Sequence, residues 1–108
     1  MRTSKIKDLV LDNLGELKAV DTVTINVKKI STFTDYMIIA SGTSNRHIKS
    51  LSEKVVDGLK KNKQSILGLE GQAGEEWILI DIGDVVLHIM SSKMREFYDL
   101  ESLWDPDL

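Results

Sequence analysis

An α/β (α+β) fold, a mixed β-sheet of about five strands with helices packed on it, follows from three features of the sequence. Apolar residues recur at spacings of three and four at the start, middle and end of the chain, marking helices. Period-two alternation or short continuous apolar runs fill the intervals between them, marking strands. The 108 residues are 42% hydrophobic and contain no cysteine, which is enough material for one core without covalent staples.

Taken in order, Ile6, Leu9, Val10, Leu14 and Leu17 draw one stripe along a helix over Thr3 to Lys18, with Thr3 or Ser4 able to cap it. Val23, Ile25 and Val27 then alternate with Thr22, Thr24 and Asn26, a half-buried strand within Asp21 to Lys28. A polar stretch over 31–35 leads into Tyr36 to Ser41, apolar nearly throughout and so expected in the middle of the sheet. Gly42-Thr43-Ser44 turns the chain into a second helix capped by Ser44, with Ile48, Leu51, Val55 and Leu59 as its buried stripe. Gln64 to Glu70 reads as a short strand, and residues 71–75 as a loop. Glu76 to Asp81 and Asp84 to Met90 form a hairpin around Ile82-Gly83. Ser91 or Ser92 caps a last helix, Lys93 to Leu103, and Pro106 ends regular structure. The order α-β-β-α-β-β-β-α contains no linker or repeat, so residues 1–108 read as a single domain.

Composition excludes several classes of function. Without cysteine there is no disulfide, thiolate metal site or cysteine nucleophile. Runs such as Met37-Ile38-Ile39-Ala40 fall far short of the ~20 residues of a membrane span. The first eight residues meet charge again before any apolar signal segment develops. The net charge of -3 is unevenly spread. Residues 1–69 carry 12 Lys+Arg against 7 Asp+Glu, a net of +5, and residues 70–108 carry 2 against 10, a net of -8. The acidic block repels phosphate and argues against nucleic acid as the partner of the C-terminal part, and no DNA partner is expected. It suits a basic protein surface, or it is simply a solvated face.

Three candidate sites are weighed against plainer readings. Ser41-Gly42-Thr43-Ser44, with Arg46, His47 and Lys49 nearby, could cradle an anion, but it lacks a phosphate-loop or dinucleotide fingerprint and reads better as a capped turn. A strand, glycine turn and helix also match the nucleotidyltransferase scaffold, yet Asn45-Arg46 stands where metal-holding carboxylates would be needed. Glu70, Asp81, Asp84 and His88 could build a metal or acid–base site, Asp84 and His88 sharing one strand face. Two histidines are few for such a site, and Asp is ordinary beside a turn. Neither a catalytic centre nor a cofactor or metal is therefore expected.

Trp77 points elsewhere. Ile78, Ile80 and Ile82 form the natural core row, which puts Trp77 on the opposite row with Leu79 and Asp81. There it either faces a partner, as interface tryptophans do, or packs under a helix. On the last helix, Met94, Phe97, Leu100 and Leu103-Trp104 read as a core stripe, leaving Arg95, Tyr98, Asp99 and Glu101 free for polar work.

Five segments carry a family resemblance in order and spacing: Asp35 to Ser44, Gly68 to Gly71, Glu76 to Asp81, Gly83 to His88 and Arg95 to Trp104. Together they resemble the ribosomal silencing factor family, also called Iojap-like. The resemblance implies a nucleotidyltransferase-like architecture without transferase activity. It implies binding to the large ribosomal subunit through large-subunit ribosomal protein fourteen, at the face where the small subunit docks. Subunit association would be blocked and translation repressed, especially when nutrients are short. The family's interaction surface maps here onto Trp77, Asp81, Asp84, His88, Arg95, Tyr98 and Glu101. Asp35, Tyr36, Ser41, Gly42, Glu70 and Gly71 match as well, several as architectural positions. A bacterial cytoplasmic protein, homodimeric when free, is the expectation that follows. The competing classes are a nucleotidyltransferase or phosphohydrolase and a homodimeric adaptor.

Overall fold

The structure is a computed structural model that describes residues 2–71 and 75–104. Helix α1 (Thr3–Glu16) leads into strands β1 (Val20–Asn26) and β2 (Tyr36–Gly42), then helix α2 (Asn45–Lys61). Strands β3 (Gly68–Glu70), β4 (Trp77–Asp81) and β5 (Val85–Ser91) follow, and two short helices, α3 (Ser92–Tyr98) and α4 (Leu100–Trp104), close the described chain. The sheet order is β1-β2-β5-β4-β3. β2 and β5 run parallel and the other pairs antiparallel, so α2 sits in the crossover that a parallel pair requires. The expected mixed five-stranded sheet is present.

Alternation sorts the side chains into two cores. Ile38 and Ala40 of β2, Ile78 and Ile80 of β4, and Val85, Leu87 and Ile89 of β5 face α1 and α2. They meet Ile6, Val10 and Leu14 of α1 and all four stripe residues of α2, Ile48, Leu51, Val55 and Leu59. Met37, Ile39, Ile25, Val27 and Met90 face the other way and are closed over by Met94, Leu100, Trp104 and Trp77. β2, apolar on both faces, is buried from Met37 to Gly42, as its continuous run requires.

Four expectations need correction. The N-cap of α1 is Arg2, with no side-chain cap bond, because Thr3 Oγ1 instead donates to Asp84 Oδ2 at 2.8 Å. β1 starts at Val20 and its register slips between Val20 and Val23, where Asp21 takes φ 49° and makes a bulge. The short strand spans only Gly68–Glu70. The last helix is two helices, since Asp99 adopts the left-handed conformation (φ 46°, ψ 55°) and breaks it. The Ser44 cap is present, its hydroxyl accepting from the His47 backbone N–H at 3.0 Å, and Ser91 caps α3 the same way through Met94 N–H at 3.1 Å. The middle of the 71–75 loop and Pro106 lie outside the described residues.

Candidate interaction surface

β4 and β5 pair with Leu79 opposite His88 and Trp77 opposite Met90, so Trp77 and His88 are diagonal neighbours on the face away from α1 and α2. Trp77 Nε1–H donates to His88 Nδ1 at 2.9 Å. An indole nitrogen only donates, so the His88 proton sits on Nε2 and the ring is neutral. His88 is buried, and burial holds its pKa down to about 4 from the ordinary 6.5.

Tyr98, at the end of α3, lays its ring 4.9 Å from the Trp77 ring, and Phe97 meets Tyr98 edge-on at 5.0 Å. Trp77 is thus half-covered, by Tyr98 above and by the sheet core beneath. Phe97 is 78% exposed and Tyr98 49%. Of the two alternatives drawn for Trp77, packing under a helix is realised in part, and the helix extends its aromatic surface outward. Beside it, Glu70, Gly71, Trp77 and Leu79 line a shallow depression of about 240 Å³. Gly71, at φ +81°, is architectural, since a Cβ there would run into the Trp77 carbonyl oxygen.

The polar residues are committed to each other. Arg95, with a side chain 10% exposed, donates from Nε to Glu101 Oε1 at 2.6 Å and from a guanidinium nitrogen to Ser41 Oγ at 3.0 Å. That pair ties α3 to α4 and both to the end of β2, so Arg95 and Glu101 are not the free groups expected. Asp99 Oδ2 accepts from the Ser102 hydroxyl at 2.6 Å. Asp81 Oδ1 accepts from the Gly83 N–H at 2.9 Å, the turn role foreseen for it. β5 begins at Val85, so strand parity does not reach Asp84, whose carboxylate takes the Thr3 hydroxyl instead of approaching His88. Among the described residues no three His, Cys, Asp or Glu side chains are grouped to hold a metal ion.

The glycine turn is equally spent on itself. Thr43 N–H donates to His47 Nδ1 at 2.9 Å, which leaves His47 Nε2–H for the Leu17 carbonyl at 2.7 Å. A Cβ on Gly42 would lie 2.6 Å from Ile48 Cγ1, so glycine is there for the close approach of α2. The turn is a helix cap and a clasp on the end of α1.

Periodicity puts Phe97 in the core stripe with Leu103, but the fold exposes both. The break at Asp99 separates α4 from α3; Met94, Leu100 and Trp104 pack inward, while Phe97 and Leu103 are exposed. An aspartate inside an apolar stripe is too weak a sequence signal for that break.

Fold and site together define a small α/β domain with an aromatic surface cluster on one sheet face, braced from below by hydrogen-bonded polar pairs. Residues 2–107 match the family model described as "Ribosomal silencing factor during starvation", and the chain belongs to that family. It is 38% identical over 104 residues to the ribosomal silencing factor RsfS of Chromobacterium violaceum, covering 96% of this chain and 85% of that one. It is 36% identical over 97 residues to the RsfS of Haemophilus influenzae, covering 90% of this chain and 95% of that one. A crystal structure of a Chromobacterium violaceum protein superposes with a TM-score of 0.93 at 38% identity, over 96% of this chain and 87% of that one.

Proposed function

We propose that this chain, as one domain over residues 1–108, is a ribosomal silencing factor that works by occupancy. It binds the large ribosomal subunit through ribosomal protein fourteen, covers the face where the small subunit docks, and so represses translation. The observation that carries this reading is the half-exposed stack Trp77–Tyr98–Phe97 set in the acidic half of the chain. Aromatic anchors of this kind dominate interface energetics, and surrounding acids speed encounter with a basic partner.

In this reading Trp77 and Tyr98 are the anchors, with Asp81 and Asp84 at the far end of the hairpin adding charge. His88, Arg95 and Glu101 act from behind: His88 orients the indole, and the Arg95–Glu101 pair holds α3 so that Tyr98 covers it. The partner-binding set is therefore split between contact and support. The chemistry is binding rather than catalysis, because the polar groups that would serve a reaction are bound to one another. The setting is the bacterial cytoplasm, and a homodimer of the free protein would use an overlapping face. No helix among the described residues is long and apolar enough to cross a membrane.

The test is subunit joining followed by light scattering. Adding the protein to separated subunits lowers the yield of joined ribosomes, while Trp77→Ala restores it. Joining that proceeds unchanged at saturating protein refutes the mechanism.

A further inference from the structure

The loop between β1 and β2 has a different character from the Trp77 surface and lies at the other end of the strands. Trp77 pairs with Met90 at one end, whereas Tyr36, at the start of β2, pairs with Val85 and with Asn26 at the other. Within the loop Phe33 is 90% exposed and Ile30 48%. The loop holds them there by its own bonds. Ile30 and Ser31 N–H donate to the Val27 carbonyl at 3.1 and 2.8 Å. Phe33 and Thr34 N–H donate to Ser31 Oγ at 3.1 and 3.3 Å, and Val27 N–H donates to the Asp35 carbonyl at 2.9 Å. Thr34 is buried while its neighbour Phe33 is exposed.

Positive charge gathers on the same end. Lys7 Nζ and Lys28 Nζ lie 5.2 and 5.1 Å from the centre of the Tyr36 ring, two cations drawn to one aromatic. Lys7 is offset in part by Asp8 at 3.8 Å, while Lys28 and Lys29 have no carboxylate partner among the described residues. Asp35 is the only acid in the sequence from 27 to 35, and Asp84, whose carbonyl takes the Asp35 and Tyr36 N–H groups, has its carboxylate bonded to the Thr3 hydroxyl. An exposed aromatic, Phe33, in one loop with the unpaired Lys28 and Lys29 fits a polymer with both π-faces and phosphates.

We propose that this loop is a second contact surface, for RNA, with Phe33 stacking on an unpaired base while Lys28, Lys29 and Lys7 meet phosphates. Stacking on an aromatic is sequence-tolerant, so the surface takes exposed single-stranded or looped segments without a fixed sequence. It is separate from the Trp77–Tyr98 anchors proposed above, though Asp84 lies beside it, and its test contains no ribosomal protein, so either reading can fail alone.

The experiment is fluorescence anisotropy of a labelled, unstructured RNA of about 12 nucleotides against the full chain. Phe33→Ala should weaken binding by about fivefold or more, from the loss of one stacked base. Lys28→Gln with Lys29→Gln should make the log–log salt dependence shallower by about 1.4, the slope carried by two phosphate contacts on a single strand. Both variants change exposed side chains, and circular dichroism checks that they fold as wild type does. Absence of RNA binding at low salt, or binding that neither variant alters, overturns the proposal. So does loop-dependent binding to phosphatidylglycerol vesicles in place of RNA, which would assign the lysines to a membrane surface.

Discussion

Trp77 and His88 are joined by one hydrogen bond across neighbouring strands, indole Nε1–H to imidazole Nδ1 at 2.9 Å, with the histidine buried and neutral. The bond fixes the tilt of the indole against Tyr98. Trp77→Phe keeps most of the ring but leaves a buried acceptor without its donor. It is expected to cost ~1–2 kcal/mol of stability, measured by urea unfolding. A cost near zero would mean the bond does not form in solution.

The burial of His88 sets a pH dependence. The His88 pKa is lowered from 6.5 to about 4, so between those values the unfolded chain binds a proton that the folded chain does not. The stabilisation is fully present above pH 6.5 and is lost as pH falls towards 4. By the linkage relation its size at the acid end is roughly 3 kcal/mol. Unfolding free energies measured from neutral pH down to mildly acid should therefore decline, and His88→Gln should flatten the decline. An unchanged slope in that variant would assign the acid sensitivity to other groups.

Arg95 holds two helices and a strand end through two charge-assisted bonds in a nearly closed site. Arg95→Met removes the cation and leaves Glu101 without it, at an expected ~2 kcal/mol. Amide exchange should rise mainly in α3 and α4. Exchange that rises evenly across the sheet would contradict the local role.

The end of α2 offers the opposite sign. Lys63 N–H bonds the Lys60 carbonyl at 3.0 Å and Gln64 N–H the Leu59 carbonyl at 2.9 Å, a Schellman pair with Lys63 in the left-handed conformation at φ 57°. Lys63→Gly removes the Cβ penalty and is expected to stabilise by ~0.5–1 kcal/mol, seen as a higher Tm.

Much of the architecture was legible because burial enforces periodicity. The stripe of α2 and the Ile78-Ile80-Ile82 row each face one core, so spacing alone located them. Three features were not legible, for physical reasons. The bulge at Asp21 and the break at Asp99 both rest on non-glycine residues in the left-handed region, which sequence signals assign to glycine first. The capture of Thr3 by Asp84 spans 81 positions and overrides a local cap. For the surface, Trp77 could be assigned to its face from alternation. Phe97 could not, because its three-residue spacing from Met94 is that of a core stripe although the fold leaves it 78% exposed, and the commitment of Arg95 to Glu101 and Ser41 appears only when β2 and α3 are brought together.

Phe97 separates binding from folding, since it is exposed and touches chiefly Tyr98. Phe97→Ala should leave stability within about 0.5 kcal/mol, as surface substitutions do. It should still weaken docking on the aromatic stack. Trp77→Ala should weaken it by ~2 kcal/mol or more, about thirtyfold, if the indole is an interface anchor.

Co-sedimentation of the purified protein with separated ribosomal subunits tests the central claim most directly. Wild type should pellet with the large subunit alone, and folded Trp77→Ala should stay in the supernatant. Pelleting with neither subunit, or a Trp77→Ala variant that pellets as wild type does, would contradict the account.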